Sequence, residues 1–345
     1  MGRRAGRAQD TRLQPRRGSK LGVAIPRATL AAVLLGQVVA GGCGEGGRLE
    51  ERGGPEAPAV HSESVTPLDS LLQESTNGVI AYHSTVDGGI VLVDPATGRK
   101  TFLTRGSSPE WSSGGTEISF MRRGRIHVIG ANGTGEREIP VDLLPFESPY
   151  MVRPVLSSTD DRIAYSRQGE IELWRPGGGI PVFLMRPGPE DDRMPVWSPD
   201  GRRLAFVRDD DIWIVGADGS EPRRLTADQA ANFDPDWSPT GDRIAFSSQR
   251  SGEVRIWTIA ADGSDARGVT REIGGEAYGE HHPSWSPDGA EVVFERWGSQ
   301  KGPQDADIYI ASMESGTVRP LVRAPGFDGL PSWGRGRPAE GSHRE

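Results

Sequence analysis

The composition of this 345-residue chain limits the partners and the folds that it can have. It carries 48 acidic and 40 basic side chains, for a formal net charge of −8, and a single cysteine. The acidic balance argues against nucleic acid or anionic lipid as the main partner of the folded surface. One cysteine excludes a disulfide within the chain.

The first 42 residues have the features of a lipoprotein-type signal peptide. Residues 1–27 contain eight Lys and Arg against one acidic residue, and Ala28 to Gly42 contains no charge. A basic segment, a short apolar run and small residues before a cut site are typical of a secretory signal. Without residues 1–42 the formal net charge falls to −15.

Cys43 directly follows Ala40-Gly41-Gly42, and this sequence resembles a bacterial lipobox. The resemblance implies that a lipid is attached to Cys43 and that the signal is cut before it. Multiple lipid chains hold a protein firmly on a bilayer. We therefore expect an exported protein that is lipid-anchored to a bacterial membrane, with its folded part in the periplasm or elsewhere outside the cytoplasm. The alternative is an incidental thiol at the end of a discarded signal.

Three further segments follow the signal. Residues 43–76 are rich in Gly, Glu, Pro and Ser, and this composition predicts a flexible tether. Residues 77–335 contain a repeated pattern and form the predicted folded domain. Residues 336–345 are expected to form a disordered tail.

The repeated pattern predicts the fold. Its clearest copies are PVWSPDGRRLAF from Pro195, PDWSPTGDRIAF from Pro235 and PSWSPDGAEVVF from Pro283, and weaker copies begin at Pro109 and Pro154. Self-similarity at a period of roughly 40–50 residues indicates a solenoid, a propeller or an array. Each copy divides into four short runs of β-branched and aromatic residues, separated by turn dipeptides such as Asp200-Gly201. This division predicts four strands in each repeat.

The two ends of the repeat region each contain part of one unit. Residues 79–104 supply a second, a third and a fourth strand without a first, whereas Ser332-Trp333 supplies a first strand with nothing after it. Pairing these ends would bury the strand edges of both. The sequence therefore predicts an all-β fold, a six-bladed β-propeller with four antiparallel strands per blade, closed by a 3+1 blade from the two chain ends.

The repeats also resemble a known family. The W-S-P-D-G turn, the I-A-F strand, the A-D-G-S turn and the R-x-L-T ending are similar to the WD-like repeats of TolB-type β-propellers. TolB itself resembles a two-domain molecule with an α/β domain ahead of the propeller. The segment between Cys43 and the first strand is too short for such a domain. The resemblance thus implies a TolB-type propeller without the N-terminal domain.

Blade geometry predicts where a binding site would lie. The loop that enters the first strand and the loop that joins the second and third strands lie on one face, around the mouth of the central channel. The candidates on this face are Arg153, Asp192, Arg193, Asp234, His281, His282 and Asp328, with Trp297 as an exposed aromatic anchor in a long loop. Long loops on a rigid scaffold often carry binding residues.

The sequence favours binding over catalysis. It contains no recognisable catalytic or phosphate-binding motif, and we expect no cofactor. The predicted function is a non-catalytic, monomeric scaffold that binds an envelope protein or peptide at the channel mouth. The alternative is a propeller enzyme that acts on a polysaccharide, because some propellers of this repeat type resemble polyuronate lyases. That alternative would require a metal at His281 and His282. A purely structural envelope component, with no specific ligand, is a third possibility.

Overall fold

The described part of the chain forms six antiparallel sheets of four strands each. The structure is a computed structural model, and it describes residues 68–112, 114–141, 152–157, 159–185, 188–270, 277–298 and 305–334. The predicted signal peptide, Cys43 and the C-terminal tail lie outside these residues. No helix within them is long and apolar enough to cross a membrane.

Each sheet is one blade, and its four strands follow one another from the channel outward. Blade 2 contains β4 (Ser107–Trp111), β5 (Glu117–Arg122), β6 (Arg125–Gly130) and β7 (Arg137–Glu138). Blade 3 contains β8 (Val155–Leu156), β9 (Ile163–Arg167), β10 (Glu170–Trp174) and β11 (Val182–Phe183). Blade 4 contains β12 (Asp192–Trp197), β13 (Arg203–Arg208), β14 (Asp211–Gly216) and β15 (Arg223–Arg224).

The remaining blades have the same order. Blade 5 contains β16 (Asn232–Trp237), β17 (Arg243–Ser248), β18 (Arg255–Ala260) and β19 (Arg267–Gly268). Blade 6 contains β20 (Ala277–Trp285), β21 (Glu291–Gly298), β22 (Ala306–Ser312) and β23 (Val318–Val322). Blade 1 contains β1 (Val79–Ser84), β2 (Gly89–Val93) and β3 (Lys100–Thr104), with β24 (Asp328–Gly334) as its first strand.

Blade 1 closes the ring with strands from both ends of the domain. Strand β24 pairs antiparallel with β1, so that Trp333 lies opposite Ile80 and Asp328 lies opposite Ser84. The predicted six-bladed propeller and its 3+1 closure are confirmed.

The W-S-P-D-G segments form tight turns held by their own side chains. In blade 4, Ser198 Oγ donates to Asp200 Oδ1 over 2.7 Å, and the same carboxylate oxygen accepts the backbone N–H of Arg202 at 3.0 Å. Gly201 follows at φ 67°, a left-handed conformation that glycine adopts without strain. The aspartate of this turn is therefore a structural residue.

Adjacent blades pack through large apolar side chains. The aromatic residues of the second strands, Tyr82, Phe120, Tyr165, Phe206, Phe246 and Phe294, have no exposed surface. The tryptophans of the first strands are also buried, as expected for inter-blade core residues. One cluster, for example, joins Ile212 of blade 4 to Trp237 and Phe246 of blade 5.

A short helix, α1 (Leu68–Glu74), covers the edge of the packing between blades 1 and 2. Leu71 and Leu72 are buried among core residues that include Leu92 and Trp111. Glu74 forms an ion pair with Arg99 at 2.7 Å. The flexible tether predicted over residues 43–76 is wrong for this segment, because its leucines recur on one helical face and have a core to join.

The docking of α1 can be tested by removing one of its core side chains. Leu71→Ala should lower the free energy of unfolding by about 2–5 kcal/mol, the usual range for a truncated buried leucine. Gln73→Ala is the matched control, because Gln73 is exposed on the same helix. Urea unfolding of the full-length variants measures both. Equal stabilities would mean that the helix is not part of the core.

The alternation of strand direction gives the ring two distinct faces. The connections into each first strand and the hairpins between second and third strands lie on one face, which we call the channel-mouth face. The turns between first and second strands, and those between third and fourth strands, lie on the opposite face. The candidate residues of the sequence all belong to the channel-mouth half.

Candidate binding site at the channel mouth

Each first strand has a left-handed residue directly before its proline. These six residues, Ser108, Arg153, Met194, Asp234, His282 and Leu330, have φ values between 34° and 55°. A non-glycine residue in this region stores of order 1–3 kcal/mol of strain, and such residues cluster at functional sites. Since the blades repeat, the six side chains form one ring, here called the pre-proline ring.

His282 occupies the centre of a charged group within this ring. Its Nε2 lies 3.3 Å from Asp234 Oδ1 of blade 5, and its Nδ1 lies 3.2 Å from Glu295 Oε1 of blade 6. Only 1% of either carboxylate side chain is exposed, against 14% of the imidazole. Glu295 also accepts the backbone N–H of Leu330 at 2.6 Å, which links blade 6 to blade 1.

These contacts favour the charged form of all three groups. Burial alone lowers the pKa of His282, but the charges of Asp234 and Glu295 outweigh it and raise that pKa above its ordinary value. Burial alone raises the pKa of the two carboxyl groups, Asp234 and Glu295. The positive charge of His282 prevails there and holds the pKa of each carboxyl below its usual range. The cluster is an imidazolium clamped between two carboxylates.

Arg153, another residue of the pre-proline ring, forms a second charged pair. The guanidinium of Arg153 forms an ion pair with Glu110, and its side chain is only 6% exposed. Its Nη1 is buried and has no hydrogen-bond partner. Burial lowers the pKa of Arg153, but the charges of Glu110, Asp234 and Asp236 outweigh it and raise that pKa.

Asp236 differs from the other carboxylates of the channel. Its Oδ2 accepts the backbone N–H of Trp285 at 2.9 Å. Burial, reinforced by the negative charge of Glu110, raises the pKa of Asp236 to about 7. Asp236 and Glu110 line a central cavity of about 100 Å³ together with Ser284, Ser332 and the buried tryptophans of the first strands.

Trp297 is not the freely exposed anchor that the sequence suggested. It lies within β21, its ring stacks on His281 with 4.0 Å between centroids, and its indole N–H donates to Glu295 at 2.8 Å. His281 also stacks on Phe233 at 5.4 Å. The expectation was wrong because β21 is longer than the other second strands and extends to Gly298.

The structure brings together only some of the predicted site residues. Arg153, Asp234, His281 and His282 meet at the channel mouth, whereas Asp192 is held by Arg208 within blade 4 through two hydrogen bonds of 2.6 Å.

Two other predicted residues lie apart from the cluster. Arg193 pairs with Asp191 and Asp210 at the rim. Asp328 lies beside Ser84 in blade 1.

Three functional candidates were missed by the sequence reasoning. Glu110 and Asp236 follow the repeat proline, where other blades have Val155, Val196 or a serine. Glu295 occupies a second-strand position that is Val207 in blade 4 and Ser247 in blade 5. The sequence did contain a signal for them: each is a charged residue at a repeat position that is uncharged in other blades.

The contacts of His282 bear on the metal site that the alternative function requires. Both ring nitrogens face carboxylate oxygens, and an imidazolium balances their charge. Among the described residues, no group of three or more His, Cys, Asp or Glu is placed to hold a metal ion.

The repeats are similar to those of known β-propeller proteins. Residues 189–300 match the family described as TolB beta propeller domain. An uncharacterized protein of Agrobacterium fabrum (strain C58) is 28% identical over 242 residues, which covers 66% of this chain and 80% of that protein. An uncharacterized peptidase of Bacillus subtilis (strain 168) is 34% identical over 112 residues, but the chain spans only 16% of its length.

Two solved structures have similar architecture. A putative TolB from Agrobacterium tumefaciens superposes with a TM-score of 0.55 at 25% identity, over 75% of this chain and 91% of that chain. TolB from Acinetobacter baumannii superposes with a TM-score of 0.59 at 19% identity, over 75% and 67% of the two chains. The second likeness concerns the fold alone.

The charge state of His282 predicts a pH dependence of stability. Its raised pKa means that the stabilisation is complete below the ordinary histidine pKa and is lost as the pH rises through the raised value. The pKa of Asp236 is about 7, so its titration adds little to the pH dependence of stability above that pH. The free energy of unfolding should fall above pH 7 with a slope of up to about 1.4 kcal/mol per pH unit.

Two variants show which residue causes this decline in stability with pH. His282→Gln should abolish the decline above pH 7, whereas Asp236→Asn should retain it. Urea unfolding between pH 5 and about pH 9 measures the slope rather than the absolute stability, which either variant can change. A decline that survives in His282→Gln would contradict the assignment.

Proposed function

Because the chain is a six-bladed propeller of TolB-type repeats, we propose that it is a non-catalytic scaffold that binds a protein or peptide at the channel-mouth face. In the same proposal, the chain is exported and a lipid on Cys43 anchors it to a bacterial membrane. The propeller then presents its channel mouth to an envelope partner.

The buried charges at the mouth carry this proposal. Arg153 Nη1 is buried without a hydrogen-bond partner, and an unsatisfied buried donor costs about 1–3 kcal/mol. The pre-proline ring adds backbone strain at the same place. A partner that supplies acceptors at the mouth would recover part of this cost, which favours binding there.

The charge states support binding rather than catalysis. The charges of Asp234 and Glu295 raise the pKa of His282 and so favour its imidazolium form, which has no free lone pair with which to act as a base. Asp234 and Glu295 are held ionised and are already paired with His282. These groups can recognise charge in a partner without exchanging protons with it.

One observation favours the alternative, an enzyme that acts on a polysaccharide. The pKa of Asp236, about 7, suits a general acid or base at neutral pH. Asp236→Asn separates the two functions, because it should abolish turnover of a polyuronate by an enzyme but should leave partner capture by a scaffold largely intact.

The scaffold function is tested by photo-crosslinking in the native host. A photoreactive residue at Asp191, which is exposed on the channel-mouth face, should capture one discrete envelope protein. The same residue at Asp218, which is exposed in a turn of the opposite face, is the matched control and should capture none.

Conservative changes then connect the captured protein to the cluster. Asp234→Asn and His282→Gln should each reduce the crosslink from position 191, because each removes charge without adding bulk. Charge reversal is avoided, since Asp234 is only 1% exposed and an unpaired lysine there would damage the fold. Crosslinks that arise only from position 218 would overturn the placement of the site.

A further inference from the structure

Five of the six blades, within the described residues, place an arginine within two residues of the end of the second strand. These arginines are Arg122, Arg167, Arg208, Arg250 and Arg296. In four blades the guanidinium lies over the second-strand aromatic ring, with 5.1 Å to Phe120, 5.4 Å to Phe206, 4.9 Å to Phe246 and 5.5 Å to Phe294. A guanidinium packed on the second-strand ring thus recurs from blade to blade.

In blades 4, 5 and 6 this arginine binds a buried polar side chain near the start of the first strand. Arg208 donates to both oxygens of Asp192 at 2.6 Å. In blade 6, Arg296 Nη2 donates to Glu280 at 2.6 Å. In blade 5, where the first-strand residue is the neutral Asn232, Arg250 donates to its Oδ1 at 3.1 Å.

Blade 1 has the acid and the ring but lacks the arginine. Asp328 takes the place of Asp192, Tyr82 takes the place of Phe206, and Ser84 stands where the arginine would be. Asp328 is 2% exposed and its Oδ1 has no hydrogen-bond partner. Among the described residues, no arginine or lysine forms an ion pair with Asp328.

The hydroxyl of Tyr82 is unpartnered as well. Tyr82 has no exposed surface, and its hydroxyl has no hydrogen-bond partner. The equivalent Tyr165 donates to Glu172 of the neighbouring third strand at 2.6 Å. Val91 lies opposite Tyr82 at that position and offers no acceptor. Two buried polar atoms in one blade are therefore without partners.

The surrounding charge favours a cation here. Burial raises the pKa of Asp328, and the negative charges of Asp87 and Asp307 raise it further. Ser84 and the more distant charge of Lys100 act in the opposite direction without prevailing. A positive group bound beside Asp328 would satisfy the carboxylate that burial destabilises.

We propose that the vacant arginine position of blade 1, bounded by Tyr82, Ser84 and Asp328, binds the guanidinium of an arginine from the protein or peptide partner. The inference rests on the proposed function, because Ser84 and Asp328 lie at the channel-mouth end of β1 and β24. A guanidinium fits better than an ammonium, since its planar fork can meet a carboxylate with two hydrogen bonds and stack on an aromatic ring. Blade 4 places its own arginine in this way.

The position lies beneath an exposed hairpin. Residues 85–88 form the turn between β1 and β2, and Thr85 and Phe327 exchange hydrogen bonds above the site. The ring of Phe327 lies 5.8 Å from that of His83. An arginine side chain would enter by displacing this turn, so we expect association to be slower than for an open surface.

The test uses a defined probe with the full-length chain in a mild detergent. The probe is acetyl-Gly-Arg-Gly-amide, and its control is the citrulline peptide, which has the same shape without the charge. Isothermal titration calorimetry should show binding of the arginine peptide at least about ten-fold tighter than that of citrulline, as expected for a charge-assisted hydrogen bond. Equal binding of the two peptides would overturn the inference.

Two substitutions to arginine, at different positions, locate the binding. Ser84→Arg places the missing guanidinium within the chain and should weaken binding of the arginine peptide by about ten-fold or more. Ser251→Arg, in the exposed hairpin between β17 and β18, adds the same charge away from blade 1 and should preserve binding. Asp328→Asn, which removes the charge without filling the position, should also weaken it and serves if Ser84→Arg fails to fold. Undiminished binding in Asp328→Asn would contradict the assignment.

The outcome is distinguishable from that of the proposed function. If the arginine peptide fails to bind while the crosslink from position 191 persists in Ser84→Arg, the guanidinium site is wrong and the scaffold function stands. If the peptide binds with the expected pattern but no crosslink forms, the guanidinium site stands and the scaffold function is wrong.

Discussion

The closed ring imposes the main physical constraint on this protein, because each blade must bury both of its faces against its neighbours. The second-strand aromatic residues meet this demand and have no exposed surface. Closure through β24 and β1 places the six first strands side by side around one narrow axis. Any polar side chain that points to this axis is therefore withdrawn from water and needs a partner of opposite charge.

The channel mouth follows directly from that constraint. Six left-handed residues before the repeat prolines form a ring, and four of the six positions are polar. The charges of Asp234, His282 and Glu295 belong to two blades, and Glu295 reaches a third through Leu330. The same network thus stabilises the junctions around the closing blade and concentrates charge on one face. Blade 1 is where the repeating arginine is missing and one oxygen of the buried Asp328 carboxylate remains without a partner.

Much of the fold could be predicted from the sequence, because the signal repeats. Each W-S-P-D-G turn specifies the same hairpin, and the incomplete units at the two ends indicate the 3+1 closure. The site was only partly predictable. Arg153, Asp234, His281 and His282 follow from their place before the repeat prolines, but Glu110, Asp236 and Glu295 are charges within strands, and their proximity depends on register between blades. The packing of Trp297 depends on the length of β21, and the docking of α1 depends on a core that local composition does not reveal.

The central claim is that His282 is a buried imidazolium clamped by two carboxylates at the channel mouth. Nuclear magnetic resonance of ring nitrogens in protein labelled with ¹⁵N histidine measures this directly, with His282→Gln identifying the signal. The account predicts that both ring nitrogens of His282 carry protons at pH 7 and that its pKa lies above the ordinary histidine value. A neutral His282 at pH 7, titrating at or below that value, would contradict it.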